Sequence, residues 1–363
     1  MFYDTYLCAA ELDVTERALA WDVAMGLQAV DGLEVSEYLR EVAGEHITGA
    51  IDMDEVQQRL HSYYVEHRAG PHSYDEADKV AANIAGLLNE PAFHFSPAGL
   101  ASIHKRLFHN VFKFAGIIRD YNITKREWVL DGDTVRYAHA AEIMMALDYD
   151  MEREKRFSFL NVSQDKIVEH IARFISGIWQ IHPFPEGNTR STAVFCIKYL
   201  RYLGYNVTNL PFATHARYFR DALVRANYNN MPKGVALDYT YLIKFFRNLL
   251  LGETHELRSR DLHILSRPVE QPAPQATETT GQIALPSSNI CQVVRVLGAE
   301  SLSGRELMRG LKLRGRDNFL KNYLTPALSG GYISMLYPDS PRHPRQKYRL
   351  TPRGCLIWDK LHL

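Results

Sequence analysis

The sequence predicts a mainly α fold with one β-hairpin set among the helices and a small α+β module at the C-terminal end. Three observations carry this. Apolar residues recur at helical spacing through long stretches before residue 266, two short β-prone stretches interrupt them near residue 132, and the pattern after residue 288 becomes three helices followed by a hairpin.

Taken in order, residues 14–66 read as three short helices with breaks near Gly32 and at Gly49; the third, 51–65, opens with an acidic turn, as a helix N-terminus favours. Residues 127–137, EWVLDGDTVRY, place β-prone stretches around Asp131-Gly132-Asp133, a hairpin signal. A lone hairpin is marginal in water, so it must pack on the helices. Helices are expected over 166–181, 191–203 and 214–227, with Gly204 stopping the second. Residues 266–288, rich in Pro, Thr, Gln, Ala and Ser, read as a linker. The expected domains are therefore 1–70, 71–265 and 289–363 around that linker.

Composition narrows the class. Of 363 residues, 46% are hydrophobic and 23% charged, as in a globular protein, and the 42 Lys and Arg balance 42 Asp and Glu. The four cysteines form no CxxC or Cys/His cluster, which argues against structural zinc and a disulfide framework. There is no signal-peptide pattern and no apolar run long enough to span a bilayer, so a cytoplasmic protein without a membrane partner is expected. Charge is unevenly spread: residues 289–363 hold 13 Lys and Arg against 5 Asp and Glu. Helices over 290–297, 303–310 and 316–329 and a terminal hairpin resemble a winged helix, with LKLRGRDNFLKNY opening the third helix and Arg342, Arg345 and Lys347 on the wing. Such a module can meet DNA phosphates, or instead mediate protein contacts or a homodimer.

The chemistry concentrates in His182-Pro183-Phe184-Pro185-Glu186-Gly187-Asn188-Thr189-Arg190. The prolines forbid helix there, Gly187 permits close approach, and a helix beginning near Asn188 turns its free N–H groups into the loop, an anion site. His182 can accept a proton, Glu186 can ligate Mg²⁺, Asn188 can donate to a phosphate, and Arg190 can grip a polyphosphate. A base, a metal ligand, an amide, a cation and a helix N-terminus in one loop are what phosphoryl or nucleotidyl transfer needs.

This loop resembles the signature of the Fic family, H-x-F-x-[DE]-G-N-[GK]-R-x-x-R: His182, Phe184, Glu186, Gly187, Asn188 and Arg190 match, Thr189 stands where Gly or Lys is commoner, and Ala193 replaces the second Arg. The resemblance extends over roughly residues 75–262. It implies a helical Fic fold that transfers AMP from ATP, with Mg²⁺, onto a Ser, Thr or Tyr hydroxyl of a protein. His182 would be the base and Glu186 would hold the metal ion. Phe184 would anchor the loop, Gly187 and Asn188 would cradle the α-phosphate, Arg190 would bind the β/γ end, and Thr189 would lie among the nucleotide-binding residues. The hairpin, with Thr134, Val135, Arg136 and Tyr137 as its second strand, would be a flap that pairs with the target's backbone. Asn227 resembles a nucleotide-contacting Asn, or is a polar helix end. Arg225 offers a cation to stand in for the missing Arg, or is a surface ion pair.

The stretch Leu27-Gln28-Ala29-Val30-Asp31-Gly32 is similar to a weakened copy of the inhibitory pattern [ST]-x-x-x-E-[GN], and GEHITGAIDMDEVQQRL after it is similar to a small antitoxin-like module. Asp31 would block the γ-phosphate, weakly without its Arg partner; alternatively Asp31-Gly32 is a plain helix end. Two other functions stay open: a DNA-binding regulator whose Fic domain only senses nucleotide, and a Fic enzyme with another phosphate-containing donor, such as UTP or a CDP-alcohol, or with phosphoryl transfer from a reversed nucleotide.

Overall fold

Caps set the N-terminal helices. In the computed structural model, which describes residues 12–67, 74–205, 208–265 and 287–361, the last span with breaks at 299, 314, 337–345, 352–353, 355–356 and 359–360, α1 (Leu12–Gly26) runs into a 3-10 turn, Leu27–Asp31. Gly32 ends that turn at φ +70°. Ser36 caps α2 (Glu37–Thr48) by accepting from the Leu39 N–H, Gly49 closes it at φ +80°, and Asp52 caps α3 (Met53–Glu66). The three predicted helices and both glycine breaks are present.

Next come α4 (Asp75–Asn89) and α5 (Pro97–Leu107). Ala77, Ala81, Ala82 and Ala85 of α4 are buried, and small residues let helix backbones approach closely. Then α6 (Ile143–Arg156), α7 (Gln164–Ile181), α8 (Asn188–Tyr202), α9 (Leu210–Thr214), α10 (Ala216–Ala226) and α11 (Thr240–Leu251) follow. Residues 193–197 of α8 are all buried, as expected of a helix enclosed on every side. Lys198, 3% exposed, donates to the carbonyls of Leu87 and Glu90 at 2.8 Å each, placing its charge at the C-terminal end of α4. Rings of Phe212, Phe219 and Phe245 pack at centroid distances of 5.0, 5.0 and 4.9 Å, joining α9, α10 and α11.

The expected hairpin differs in detail. Residues 127–137 do reverse the chain, with the Glu127 N–H donating to Asp133 O at 2.9 Å, but Trp128–Leu130 is a 3-10 turn and no strand pair forms. Side chains take the carbonyls that a ladder would use: Gln180 donates to Arg136 O and Arg119 to Ala138 O. Packing of Val135, 2% exposed, then serves where strand pairing would.

The chain divides into two compact units: Met1–Lys155 with His170–Lys198 and Thr208–Pro272, and Arg156–Glu169 with Tyr199–Val207 and Ala273–Leu363. In the second, Gly204 stops α8 at φ +88°. Its C-terminal part holds α12 (Ser288–Leu297), α13 (Gly304–Gly310), and α14 (Arg316–Phe319), which continues through one π turn into α15 (Thr325–Ser329). The antiparallel strands β1 (Ile333–Met335) and β2 (Tyr348–Leu350) follow, in register Ser334 to Arg349. Val293, Val294, Leu297, Leu307, Phe319, Leu324 and Ile333 form its core. Three helical segments and a hairpin are thus as expected. The wing residues Arg342 and Arg345 and linker residues 266–286 lie outside the described residues. Among the described residues, no helix is long and apolar enough to cross a membrane.

Candidate functional site

α7 ends at Ile181 and α8 starts at Asn188, so the chemistry of residues 182–187 is carried by a short link between two helices. His182 adopts φ +51°, a left-handed conformation that costs a β-carbon-bearing residue roughly 1–2 kcal/mol. Arg119, 3% exposed, offsets that strain: its side-chain Nε donates to His182 O at 2.8 Å and its backbone N–H to Pro183 O at 2.9 Å. Its remaining nitrogens reach Tyr121 O and Ala138 O at 2.6 and 2.7 Å, so one guanidinium fixes both the link and the reversed segment.

The imidazole of His182 has a defined tautomer. Nδ1 lies 3.2 Å from Trp179 O, and a carbonyl only accepts, so Nδ1 carries the proton. Nε2 is buried without a hydrogen-bond partner, holding a free lone pair. Burial lowers the His182 pKa well below the usual imidazole value, and the charge of Lys125 adds to this. Tyr137 covers the ring at a centroid distance of 4.2 Å, and Trp179 meets it edge-on at 5.2 Å.

Below the link, Phe184 is 1% exposed and stacks on His104 at 3.8 Å. His104 Nδ1 accepts from the Gly116 N–H at 2.8 Å, so its Nε2 is the protonated nitrogen and donates to Glu186 O at 3.0 Å. Burial pushes its pKa down to about 4. Asn188 folds back on Phe184, accepting from its N–H at 2.9 Å and donating to its carbonyl at 2.7 Å. Its side chain therefore shapes the loop rather than pointing into open space. Thr189 Oγ1 accepts from Trp179 Nε1 at 3.0 Å and is likewise buried. Gly187 sits at φ +76° with the Phe108 ring where a Cβ would be, 2.3 Å away. Only glycine fits there.

Two charged groups complete the link. Glu186 receives Lys125 Nζ at 3.1 Å from both of its oxygens. Burial raises the Glu186 carboxyl, but Lys125 and the Gly187 N–H outweigh this and hold it below the usual range. Arg190 is 1% exposed. Its Nη1 donates to Gln28 Oε1 at 3.1 Å, its Nη2 to Glu76 Oε1 at 2.9 Å, and Nε lies 2.7 Å from Asp31 Oδ2, while the guanidinium rests 4.8 Å from the centre of the Phe108 ring. Asp31 thus does have an arginine partner. It is the first arginine of the loop, since Ala193 is fully buried and offers none. Gly32 also ends its turn by donating to Ala29 O, so the stretch is both a helix end and an arm on Arg190.

The other expected residues divide. Thr134 and Val135 pack locally and Arg136 is exposed, while Tyr137 alone of the four faces His182. Asn227 Nδ2 donates to Ser176 and to Leu223 O, the bonding of a polar helix end. Arg225 pairs with Asp238 at 3.8 Å but is buried. Two cations are felt at both Asp31 and His182: Lys125 and Arg220, the latter paired with the buried Glu127 at 2.7 Å. His104, Arg119, Lys125, Gln28, Glu76 and Arg220 were not singled out from sequence. They stand 61 or more positions from the loop residues they touch in the cases of Lys125, Arg119 and His104, and no spacing rule spans such gaps.

Residues 94–200 match the Fic/DOC family, and residues 288–351 match the C-terminal domain of Fic-like "filamentation induced by cAMP" proteins. The probable protein adenylyltransferase Fic of Salmonella typhimurium is 30% identical over 109 residues, 29% of this chain and 50% of that protein, so the chain spans half the length of this curated relative. Among solved structures, a Fic family protein from Desulfovibrio desulfuricans G20 is 18% identical at a TM-score of 0.42, covering 96% of this chain and 92% of that one. The N-terminal Fic domain of a Bartonella quintana effector with bound ADP is 21% identical at 0.40, covering 52% and 94%. BepC of Bartonella tribocorum with bound AMPPNP is 20% identical at 0.36, covering 55% and 87%. The link between α7 and α8 that gathers a histidine, a glutamate and an arginine thus lies inside the stretch, residues 94–200, that is similar to the Fic/DOC family, and residues 288–351 are similar to the Fic-like C-terminal domain.

Proposed function

We propose that this protein transfers AMP from ATP to a hydroxyl of a protein, with release of diphosphate, and that its N-terminal segment holds that activity in check. The observation that carries the transfer is the lone pair of His182 Nε2, kept unprotonated by the Nδ1–H bond to Trp179 O and by a lowered pKa. That is the state a general base needs at neutral pH. His182 Nε2 takes the proton of the target Ser, Thr or Tyr, whose oxygen forms a bond to the α-phosphorus as the bond to the β-phosphate oxygen breaks, and diphosphate leaves. Backbone N–H groups of the first turn of α8, from Asn188, Thr189 and Arg190, have no acceptor within the helix and suit the α-phosphate. The segment from Thr134 to Tyr137 would guide the target chain, and Tyr137 would yield to it.

Among the described residues no group of three or more His, Cys, Asp or Glu side chains could hold a metal ion. Glu186 offers one carboxylate, which suits Mg²⁺ held jointly with phosphate oxygens. Mg²⁺ there would neutralise charge on the α- and β-phosphates. Inhibition rests on Arg190: its guanidinium is spent on Asp31, Glu76 and Gln28 and is out of solvent. A polyphosphate would gain it only when the arm from Leu27 to Asp31 gives way.

The test is mass spectrometry after incubation with Mg-ATP, of wild type, His182→Ala and Asp31→Ala, on the chain itself and on lysate proteins. A mass gain matching AMP that requires His182 supports the proposal. No gain in wild type or Asp31→Ala, with ATP bound, would support nucleotide sensing instead, and a gain only with UTP or a CDP-alcohol would change the donor. Protein contacts or a homodimer are one reading of the 289–363 module; its basic residues, on three helices and a hairpin, would also suit DNA phosphates. Absence of DNA binding at low salt would reject this.

A further inference from the structure

Lys125 holds Glu186 symmetrically, with Nζ 3.1 Å from each carboxylate oxygen. This is the position a cation shared by two oxygens takes. We propose that Lys125 is a built-in counter-ion for Glu186, occupying the carboxylate in the nucleotide-free protein and leaving it when a divalent cation arrives with the polyphosphate, so that metal and nucleotide bind cooperatively. This rests on the reading of Glu186 as the metal ligand.

Charge balance around the link is the first argument. Lys125 pairs with Glu186, Arg190 with Asp31 and Glu76, and Arg220 with Glu127 and, at 3.7 Å, with Asp221, while Arg119 binds carbonyl oxygens. A divalent ion entering alone meets a Glu186 whose charge Lys125 already balances, and must push an ammonium towards a cluster that holds three guanidinium groups. One entering with a polyphosphate brings its own surplus of negative charge, on which the ammonium can settle.

The second argument is mechanical. Lys125 lies on a stretch, 122–127, without helix or strand, and the backbone is pinned nearby by Arg119 at Tyr121 O and by Glu127 at Asp133. The main chain is held, yet the lysine's four-carbon stem can swing its point charge over several ångströms. Its side chain is 28% exposed and that of Glu186 44%, so the ion pair is of the partly screened kind that exchanges easily. An arginine, with a planar fork, would lock the carboxylate more firmly.

The test is Mn²⁺ binding to the full chain, followed by electron paramagnetic resonance, with and without ATP, in wild type, Lys125→Met, Lys125→Gln and Glu186→Gln. Without ATP, both lysine variants are expected to bind Mn²⁺ about three- to tenfold more tightly than wild type. The factor by which ATP improves Mn²⁺ binding should shrink by at least that ratio, because the variants also lose the ammonium that settles on the polyphosphate, and Mn²⁺ should improve ATP binding by the same reduced factor. Unchanged Mn²⁺ affinity without ATP in folded Lys125→Met and Lys125→Gln would overturn the counter-ion role, as would weaker ATP binding with no change in Mn²⁺ binding, which would make Lys125 a phosphate ligand only. Glu186→Gln separates the two claims: if it leaves Mn²⁺ binding in the presence of ATP intact, the metal-ligand reading itself fails.

Discussion

Asp31 Oδ2 lies 2.7 Å from Arg190 Nε, across 159 positions of sequence, and with Glu76 on Arg190 Nη2 it places two carboxylates on one buried guanidinium. Burial raises the Asp31 pKa while Arg190 lowers it, so the contact is a carboxylate partly stripped of water and compensated by one cation. A cation held by two acids has no charge left for a phosphate chain.

Releasing the clamp should therefore strengthen nucleotide binding. Asp31→Ala is expected to lower the ATP Kd by about tenfold, and Glu76→Ala to act in the same direction. The double variant should gain less than the product of the two, because both act on one guanidinium. Calorimetric titration with ATP checks this. Equal affinity in all four proteins would remove the arm from the regulation of the site.

The proposed transfer should keep its rate into mildly acidic solution. His182 has its folded pKa below the usual value near 6.5, so the neutral imidazole persists as pH falls through that value, and the acid limb of kcat should lie below about 6.5. His182→Ala should lose at least about a hundredfold in rate at every pH while retaining ATP binding. An acid limb at or above 6.5 in wild type would mean that another group controls the reaction.

Gly187 tolerates no side chain. In Gly187→Ala the new Cβ would meet Phe108 at 2.3 Å, on a backbone at φ +76°. The chain should lose about 2 kcal/mol or more of stability, seen as a lower Tm for the unit that contains the link. A Tm equal to wild type would show that Phe108 moves aside freely.

His104 should make stability depend on acid. Its folded pKa is about 4, below the unfolded value near 6.5, so the unfolded chain takes up a proton between those values that the folded chain refuses. Stability is thus present in full above about 6.5 and is lost as pH falls towards 4. Urea unfolding at pH 7.5 and 5 should show a larger loss in wild type than in His104→Gln. Equal losses would assign the acid sensitivity elsewhere.

Much was legible in the sequence, for local reasons. Gly32, Gly49 and Gly204 end helical segments, Pro183 and Pro185 keep the link out of helix, and α8 begins at Asn188, because these depend on backbone angles and spacing within a few residues. The motif from His182 to Arg190 is equally local, and its residue types by themselves point to phosphate chemistry. Strand propensity at 127–137 misled in part, because pairing depends on what else the carbonyls meet, and Arg119 and Gln180 took them. Only the tertiary structure decided who partners whom. It put Asp31, Glu76 and Gln28 on Arg190, Lys125 on Glu186, and His104 under Phe184. Charges and rings far apart along the chain attract only once packing has brought them together and excluded water, and a single sequence holds no spacing from which those meetings can be read.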